Sequence, residues 1–472
     1  MSQQNCQCGC CGLMGFEQAL ALPKEQIKEL HSKYLNASLV TLLSLINFDT
    51  PFVSASGVSV YDAAGNEYLD FLGGYGALNL GHNHPEIYAA LQKVQSLPNI
   101  LQASISGISA ALAHNLAHLA PGHLKRSFFC NSGAEAVEGA LKLSRIATGR
   151  QKFIYCHHSF HGKTFGALSV TGREKYQAPF HPLLSQTMSV PYGDLAALEQ
   201  ALASGDAAAF IIEPIQGEGG IVVPPPGYLA KAKRKCAQYG TLFIADEVQT
   251  GFGRTGDFFA CQAEDVVPDI LCIAKSLGGG VMPMGAYLTS DEIWRKAYGT
   301  MEKSLLHTST FGGNTAACAA ALKTIEIIVD QNLVQQAKTK GAYFLEELKK
   351  LKDEYPLLKD VRGRGLMIGL EFQQPPTGEK KYSFTFTMNV VNKLAQEYMG
   401  SLVAGELLNK HRIITAYTLN NPNVIRLEPP LTVTQEQLDR VLTALKSILS
   451  SHSGFLSMVG SSAKNVLLNM KK

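Results

Sequence analysis

Residues 243–249 read Phe-Ile-Ala-Asp-Glu-Val-Gln and residues 270–280 read Ile-Leu-Cys-Ile-Ala-Lys-Ser-Leu-Gly-Gly-Gly, two apolar runs that each lead into a charged side chain. Neither run alternates apolar with polar residues, and both are short and bounded by turn-forming or helical segments. That pattern belongs to strands buried on both faces. Similar runs occur at Ser127–Cys130, Lys152–Cys156 and Ala207–Ile212, with helical segments at Ala134–Thr148 and Gly227–Tyr239 between them. The alternation predicts an α/β fold with a mostly parallel sheet covered by helices on both sides. Such sheets bind ligands outside the carboxyl ends of their strands, which is where Asp246 and Lys275 fall.

Outward from this centre, the chain divides into five stretches. Residues 1–20 read as a flexible, cysteine-rich tail. Residues 21–72 form an N-terminal segment that contributes to the smaller domain, with a helix over Pro23–Ile46 and a strand hairpin over Gly57–Phe71 turning at Ala64-Gly65-Asn66. Residues 73–330 make the large domain and 331–450 a smaller α+β domain. The latter holds a helix over 331–354, a strand over Leu366–Phe372, a short strand around Ile413, the run Val424–Leu427 and a helix from Gln435. Residues 451–472 form a peripheral tail.

With 46% hydrophobic and 17% charged residues and a formal charge of +3 over 472 residues, the chain has the composition of a globular enzyme. No basic run or zinc-finger spacing points to nucleic acid. No uncharged apolar stretch of 18 residues points to a membrane span. The N-terminus lacks the charged and apolar regions of an export signal, so a cytoplasmic location is expected. Cys130, Cys156, Cys236, Cys261, Cys272 and Cys318 stand singly among apolar or helical neighbours, as buried thiols do. Cys6, Cys8, Cys10 and Cys11 are packed more tightly than paired CxxC ligands, which leaves a tail without catalytic duty or a metal- or redox-binding accessory. His82, His84, His158 and His161 lack the carboxylate-histidine spacing of a zinc enzyme, and no metal is expected.

Three motifs carry chemistry. Asn131–Glu138 follows a strand and opens a helix, with Ser132 and Glu135 spaced as a capping box. Its glycine and free amides suit a phosphate, although an ordinary capped helix has the same pattern. Asp246, directly after a strand, can keep a pyridinium nitrogen protonated or can be a solvated loop acid. Lys275, beside three glycines, is an amine nucleophile if buried and an unremarkable surface lysine if not. The run Gly251–Gly256 resembles a nucleotide loop but lacks its register and its lysine.

Taken in order, SGAEAVE from Ser132, SFHGKT from Ser159, EPIQGEGG from Glu213, DEVQTGFGRTG from Asp246, AKSLGGG from Ala274, HTSTFGGN from His307 and IRLEPPL from Ile425 resemble the class III aminotransferases. The resemblance runs from about Leu45 to Ser450. It implies the PLP-dependent transferase fold of type I and pyridoxal 5'-phosphate as cofactor. It further implies that Lys275 holds the cofactor as a Schiff base and shuttles the substrate proton. Asp246 would pair with the ring nitrogen, Phe160 stack on the ring, Gln249 meet its phenolic oxygen, and Gly133 and Ala134 bind its phosphate. Thr310, with Ser309, would reach the phosphate of a neighbouring subunit, so a homodimer with sites at its interface is expected. Arg426 would clamp 2-oxoglutarate, with Glu218 neutralising the arginine while an amine donor is bound.

Within this family the chain resembles the putrescine (diamine) branch, on FFCNSG from Phe128, GYLAKAKRKC from Gly227, LCIAKSLGGGVMPMGA from Leu271 and LVAGELLN from Leu402. The expected reaction is a ping-pong transfer from putrescine or cadaverine to 2-oxoglutarate, giving 4-aminobutanal and L-glutamate in the putrescine case. Lys163 stands where ornithine enzymes usually carry an arginine for the α-carboxylate, which favours a donor without one. Tyr75 resembles the tyrosine of ornithine aminotransferases and points the other way. Ornithine, acetylornithine or 4-aminobutyrate donors are the alternative, followed by an aminomutase and lastly a non-catalytic protein.

Overall fold

The computed structural model describes residues 13–45, 48–373 and 399–452. Cys6, Cys8, Cys10 and Cys11, and the tail beyond 452, lie outside them. The first strands are β1 (Phe52–Ser56), β2 (Ser59–Asp62) and β3 (Glu67–Asp70), an antiparallel meander. The β2–β3 turn is closed by Asp62, whose Oδ1 accepts from the amides of Ala64 and Asn66 at 3.0 and 2.9 Å.

The central sheet comprises β4 (Leu124–Cys130), β5 (Lys152–Cys156), β6 (Thr187–Val190), β7 (Ala207–Ile212), β8 (Leu242–Asp246), β9 (Ile270–Ile273) and β10 (Gly285–Ser290), in spatial order β4-β10-β9-β8-β7-β5-β6. All six residues of β7 and all four of β9 are buried, as expected of strands covered on both faces. The sheet is parallel except for β10, which runs antiparallel to both neighbours. Neither β6 nor β10 stands out in the sequence. The first is a partly exposed edge strand rich in Ser and Thr, and the second starts on glycine and ends on Thr-Ser.

The helix Gly133–Thr148 follows β4 and buries Ala136, Val137, Ala140, Leu141 and Leu143 beneath the sheet. Ser132 caps it by accepting from the Glu135 amide at 3.2 Å. The Glu135 carboxylate does not return to Ser132 as a capping box requires. It takes the backbone and side-chain amides of Asn131 instead, at 2.5 and 3.0 Å, because Asn131 offers it two donors. Gly149, in the left-handed region at φ 69°, ends the helix.

Downstream, β11 (Leu358–Arg364), β12 (Met367–Phe372), β14 (Ala416–Tyr417) and β15 (Val424–Leu427) form an antiparallel sheet in the order β11-β12-β15-β14, while β13 (Ile413–Ile414) pairs in parallel with β3. That pairing ties the N-terminal hairpin to the C-terminal part of the chain. One contiguous apolar cluster joins Leu69, Phe71, Ile273, Leu277, Phe344, Ile425 and Leu445. The fully buried Arg254 binds the same regions together. It donates to the carbonyls of Leu366 and Pro429 and, at 2.6 Å, to the side-chain oxygen of Asn79. The six cysteines of the described residues are buried and free.

Candidate active site

Because β7, β8 and β9 lie side by side in register, the residues that follow them converge. Glu213 comes directly after β7, Asp246 ends β8, and Lys275 lies two residues past β9. All three line one cavity of about 460 Å³, together with Gly133, Ala134, Phe160, His161 and Gln249. Asp246 accepts from the Val248 amide at 3.1 Å through Oδ1, and its Oδ2 lies 2.6 Å from Nδ1 of the buried His161. Nε2 of His161 is buried without a hydrogen-bond partner.

Glu213 accepts from the amides of Phe160 and Gly217 at 2.9 and 3.0 Å. Burial pushes its carboxyl up, Asp246 adds to this, and His161 with the two amides pulls back; the balance leaves it at about 7. Lys275 holds φ 49°, a left-handed conformation that a lysine rarely adopts and that marks backbone constrained by its surroundings. Burial lowers its pKa, and Arg426 adds to the effect, against the opposing pull of Glu428, Glu218 and Asp246.

Gly133 and Ala134, which also line the cavity, begin their helix with amides that no preceding turn can satisfy. A Cβ on Gly133 would sit 2.8 Å from Cγ1 of Val248, so the backbone approaches the cavity only as glycine.

Beside the cavity lies a cluster of charges. Arg426, on β15, is completely buried and donates from Nη2 to Oε2 of Glu218 at 2.6 Å. Its Nη1 is 3.5 Å from Oε2 of Glu428, and Nε and Nη1 make no hydrogen bond. The guanidinium carbon stands 5.1 Å from the ring centre of Tyr75, itself 46% exposed and at φ 58°. Burial works to raise the Glu218 carboxyl, but Arg426 and the Leu419 amide hold it below the ordinary glutamate value.

Gly133, Ala134, Phe160, Gln249, Asp246 and Lys275 thus share one cavity wall, and Arg426, Glu218 and Tyr75 form the adjoining cluster. Lys163 and Thr310 stand apart from that wall. The exposed Lys163 holds its ammonium 5.2 Å over the ring of Tyr176. Thr310 lines a second cavity of about 570 Å³ with Leu97, Leu101 and Ile105, and neighbouring Ser309 accepts from Asn131 at 3.1 Å. Sequence reasoning assigned no role to Glu213, His161 or Glu428. The signal for Glu213 was available, since it directly follows an apolar strand as Asp246 ends one. Nothing local marks the other two.

The cavity fits pyridoxal 5'-phosphate, since its lining brings together the helix-start amides of Gly133 and Ala134, a buried carboxylate with its histidine, and a lysine whose charged form is disfavoured. Residues 46–449 match the model of the class-III aminotransferases. The chain belongs to that family, whose members are PLP-dependent and share this α/β fold of type I. It is 41% identical over 462 residues to the aminotransferase PigE of Serratia sp. (strain ATCC 39006), covering 92% of this chain and 54% of the relative. The chain therefore spans about half the length of that curated relative.

Among solved structures, the ornithine aminotransferase of Toxoplasma gondii ME49 superposes with a TM-score of 0.78 at 30% identity, covering 95% of this chain and 98% of the other. An (S)-enantioselective omega-transaminase from Thermomicrobium roseum gives 0.78 at 31% identity, covering 90% and 98%. Among the described residues no helix is long and apolar enough to cross a membrane, and no group of three or more His, Cys or acidic side chains is placed to hold a metal ion.

Proposed function

We propose that the chain transfers the amino group of a terminal primary amine to 2-oxoglutarate, in two half-reactions, with ornithine-like ω-amino acids first among the donors. The 2.6 Å pair between buried Arg426 and Glu218 carries this reading. With its arginine neutralised, the site admits a donor whose reacting carbon bears no carboxylate. When Glu218 turns away, Nη2 is released and, with Nε and Nη1, which make no hydrogen bond, is left to grip the acid of the acceptor. The ornithine and ω-amine names of the structural relatives, and Tyr75 beside Arg426, support the donor class.

Pyridoxal phosphate, when bound, supplies an electron sink for the charge left at the donor carbon. The amides of Gly133 and Ala134 would hold its phosphate, Phe160 its ring face, and Asp246 its ring nitrogen. Lys275 would hold it covalently through Nζ. His161 and the Val248 amide orient the Asp246 carboxylate in the wall of the cavity. Once displaced by the donor amine, Nζ of Lys275, whose burial favours the neutral amine, would be free to take the proton from the carbon bearing the donor nitrogen. In the second half-reaction Lys275 returns a proton to the acceptor carbon while Arg426 fixes the acceptor's orientation.

A second copy of the chain is the proposed partner. Thr310 is exposed beside Leu101 and Ile105, which are 56% and 98% exposed, so an apolar surface surrounds the residue proposed to reach the neighbouring phosphate. Putrescine is the second reading, favoured by the position of Lys163 over Tyr176 and away from the cavity wall, where it grips no carboxylate.

PLP-loaded protein incubated with 2-oxoglutarate and ornithine, putrescine or 4-aminobutyrate in parallel separates these readings by the glutamate formed. Fastest turnover with ornithine supports the first and fastest with putrescine the second. No glutamate from any of the three overturns both.

A further inference from the structure

We propose that Glu428 is a fixed second counter-ion of Arg426 and so a specificity-determining residue, weakening the grip of the site on dicarboxylates in favour of cationic or uncharged substrate ends. The inference rests on the reading above of Arg426 as the acceptor-binding residue. Glu428 is completely buried, and its Oε2 lies 3.5 Å from Nη1 of Arg426. Both of its oxygens accept from Nε2 of Gln249, at 2.8 and 2.9 Å. Its backbone is pinned as well: its amide donates to the Phe71 carbonyl at 2.8 Å, and the next carbonyl, that of Pro429, accepts from Arg254. Gln249 lines the cavity, so Glu428 stands one residue behind its wall.

The two acids flanking Arg426 are held differently. Glu218 sits between Gly217 and Gly219 and is held through Oε2 alone, which accepts from both Arg426 and the Leu419 amide. Its side chain can rotate away by breaking two hydrogen bonds at one atom. Glu428 is held through both oxygens by Gln249, on a backbone tied on either side. Glu218 and Glu428 thus both face Arg426 while Glu218 is in place, with Lys275 and Arg254 as the further cations on which Glu428 acts. When Glu218 leaves, Arg426 remains a compensated pair rather than a lone cation. A carboxylate arriving at Arg426 meets Glu428 as a like charge, whereas the ammonium of a donor gains from it.

The test is the affinity of glutarate, a dicarboxylate with no carbonyl to react, measured by calorimetry on the PLP-loaded protein and on Glu428→Gln. The substitution keeps the shape of the side chain and removes its charge. Two like charges about 6 Å apart at an effective dielectric of about 20 repel enough to change affinity by up to about a hundredfold. After relaxation of the site, glutarate is expected to bind Glu428→Gln about tenfold more tightly or better.

Equal or weaker binding to a folded, cofactor-loaded Glu428→Gln overturns the proposal and leaves Glu428 as a prop for Gln249. Should that variant not fold, Glu428→Asp takes its place. It withdraws the charge by one methylene, and tightening of about threefold is expected, with no change overturning the proposal. Glutarate binding is independent of which amine is the donor, so a wrong donor assignment leaves this result standing. Failure of glutarate to bind parent and variant alike overturns the acceptor reading and this inference together.

Discussion

Glu213→Gln tests how the buried acid at the end of β7 is ionised. The folded protein raises the Glu213 carboxyl from 4.5 to about 7, chiefly through burial. An acid raised on folding holds its proton longer in the native state. Its contribution to stability is therefore fully present below about pH 4.5 and is lost as the pH rises through about 7. The gap corresponds to about 3 kcal/mol.

Glutamine removes the ionisation but presents an NH2 group to one of the two amides that Glu213 now accepts from, Phe160 or Gly217. One buried donor is left unpaired, at a cost of about 1–3 kcal/mol at every pH. The variant is therefore expected to be less stable than the parent near pH 5, and to draw level or overtake it above about pH 8. Urea denaturation of both proteins across that range, at one protein concentration, reads the difference directly. A stability gap that does not change with pH would refute the reasoning, because Glu213 would then ionise alike in the folded and unfolded chain.

Lys275→Ala removes the amine that would bind the cofactor and move the proton. Turnover is expected to fall at least about 10²–10⁴-fold, and the borohydride-fixed cofactor mass expected on the parent should be absent from the variant. Arg426→Lys replaces a fork with a point charge. The KM for 2-oxoglutarate is expected to rise about thirtyfold or more, while a single turnover of the donor half-reaction changes far less; equal losses in both would contradict the assignment. Gly133→Ala places a methyl 2.8 Å from Cγ1 of Val248. Overpacking of about 1–3 kcal/mol is expected to weaken PLP binding about five- to a hundredfold. Fluorescence titration should show recovery when Val248→Ala is added.

Several parts of this site could be read from the chain because they depend on patterns a few residues long. Apolar runs without alternation marked β5, β7 and β9 almost to the residue, and that periodicity holds wherever the strand is placed in the sheet. β6 escaped because its edge position relaxes the demand for a continuous apolar run, and β10, buried along all six residues between β4 and β9, because its glycine, threonine and serine interrupt one. Lys163 shows the converse limit. Its residue type bears on the donor's carboxylate, but the place of its ammonium over Tyr176, 13 positions away, could not be read from the chain.

The sequence by itself determined that strands of a buried sheet end on Asp246 and lead into Lys275, and that a capped helix with a glycine at its start opens after β4. Those features follow from local periodicity and capping chemistry. Only the tertiary structure decided which distant groups share charge. Arg426 meets Glu218 across 208 positions, and Gln249 meets Glu428 across 179. Those partnerships arise because Glu428, directly after β15, is packed against the glycine-rich turn at residues 73–76 and β13 is paired with β3. Burial then sets the protonation of Glu213 and Lys275 through the dielectric and the charges around them, quantities that no window of sequence contains.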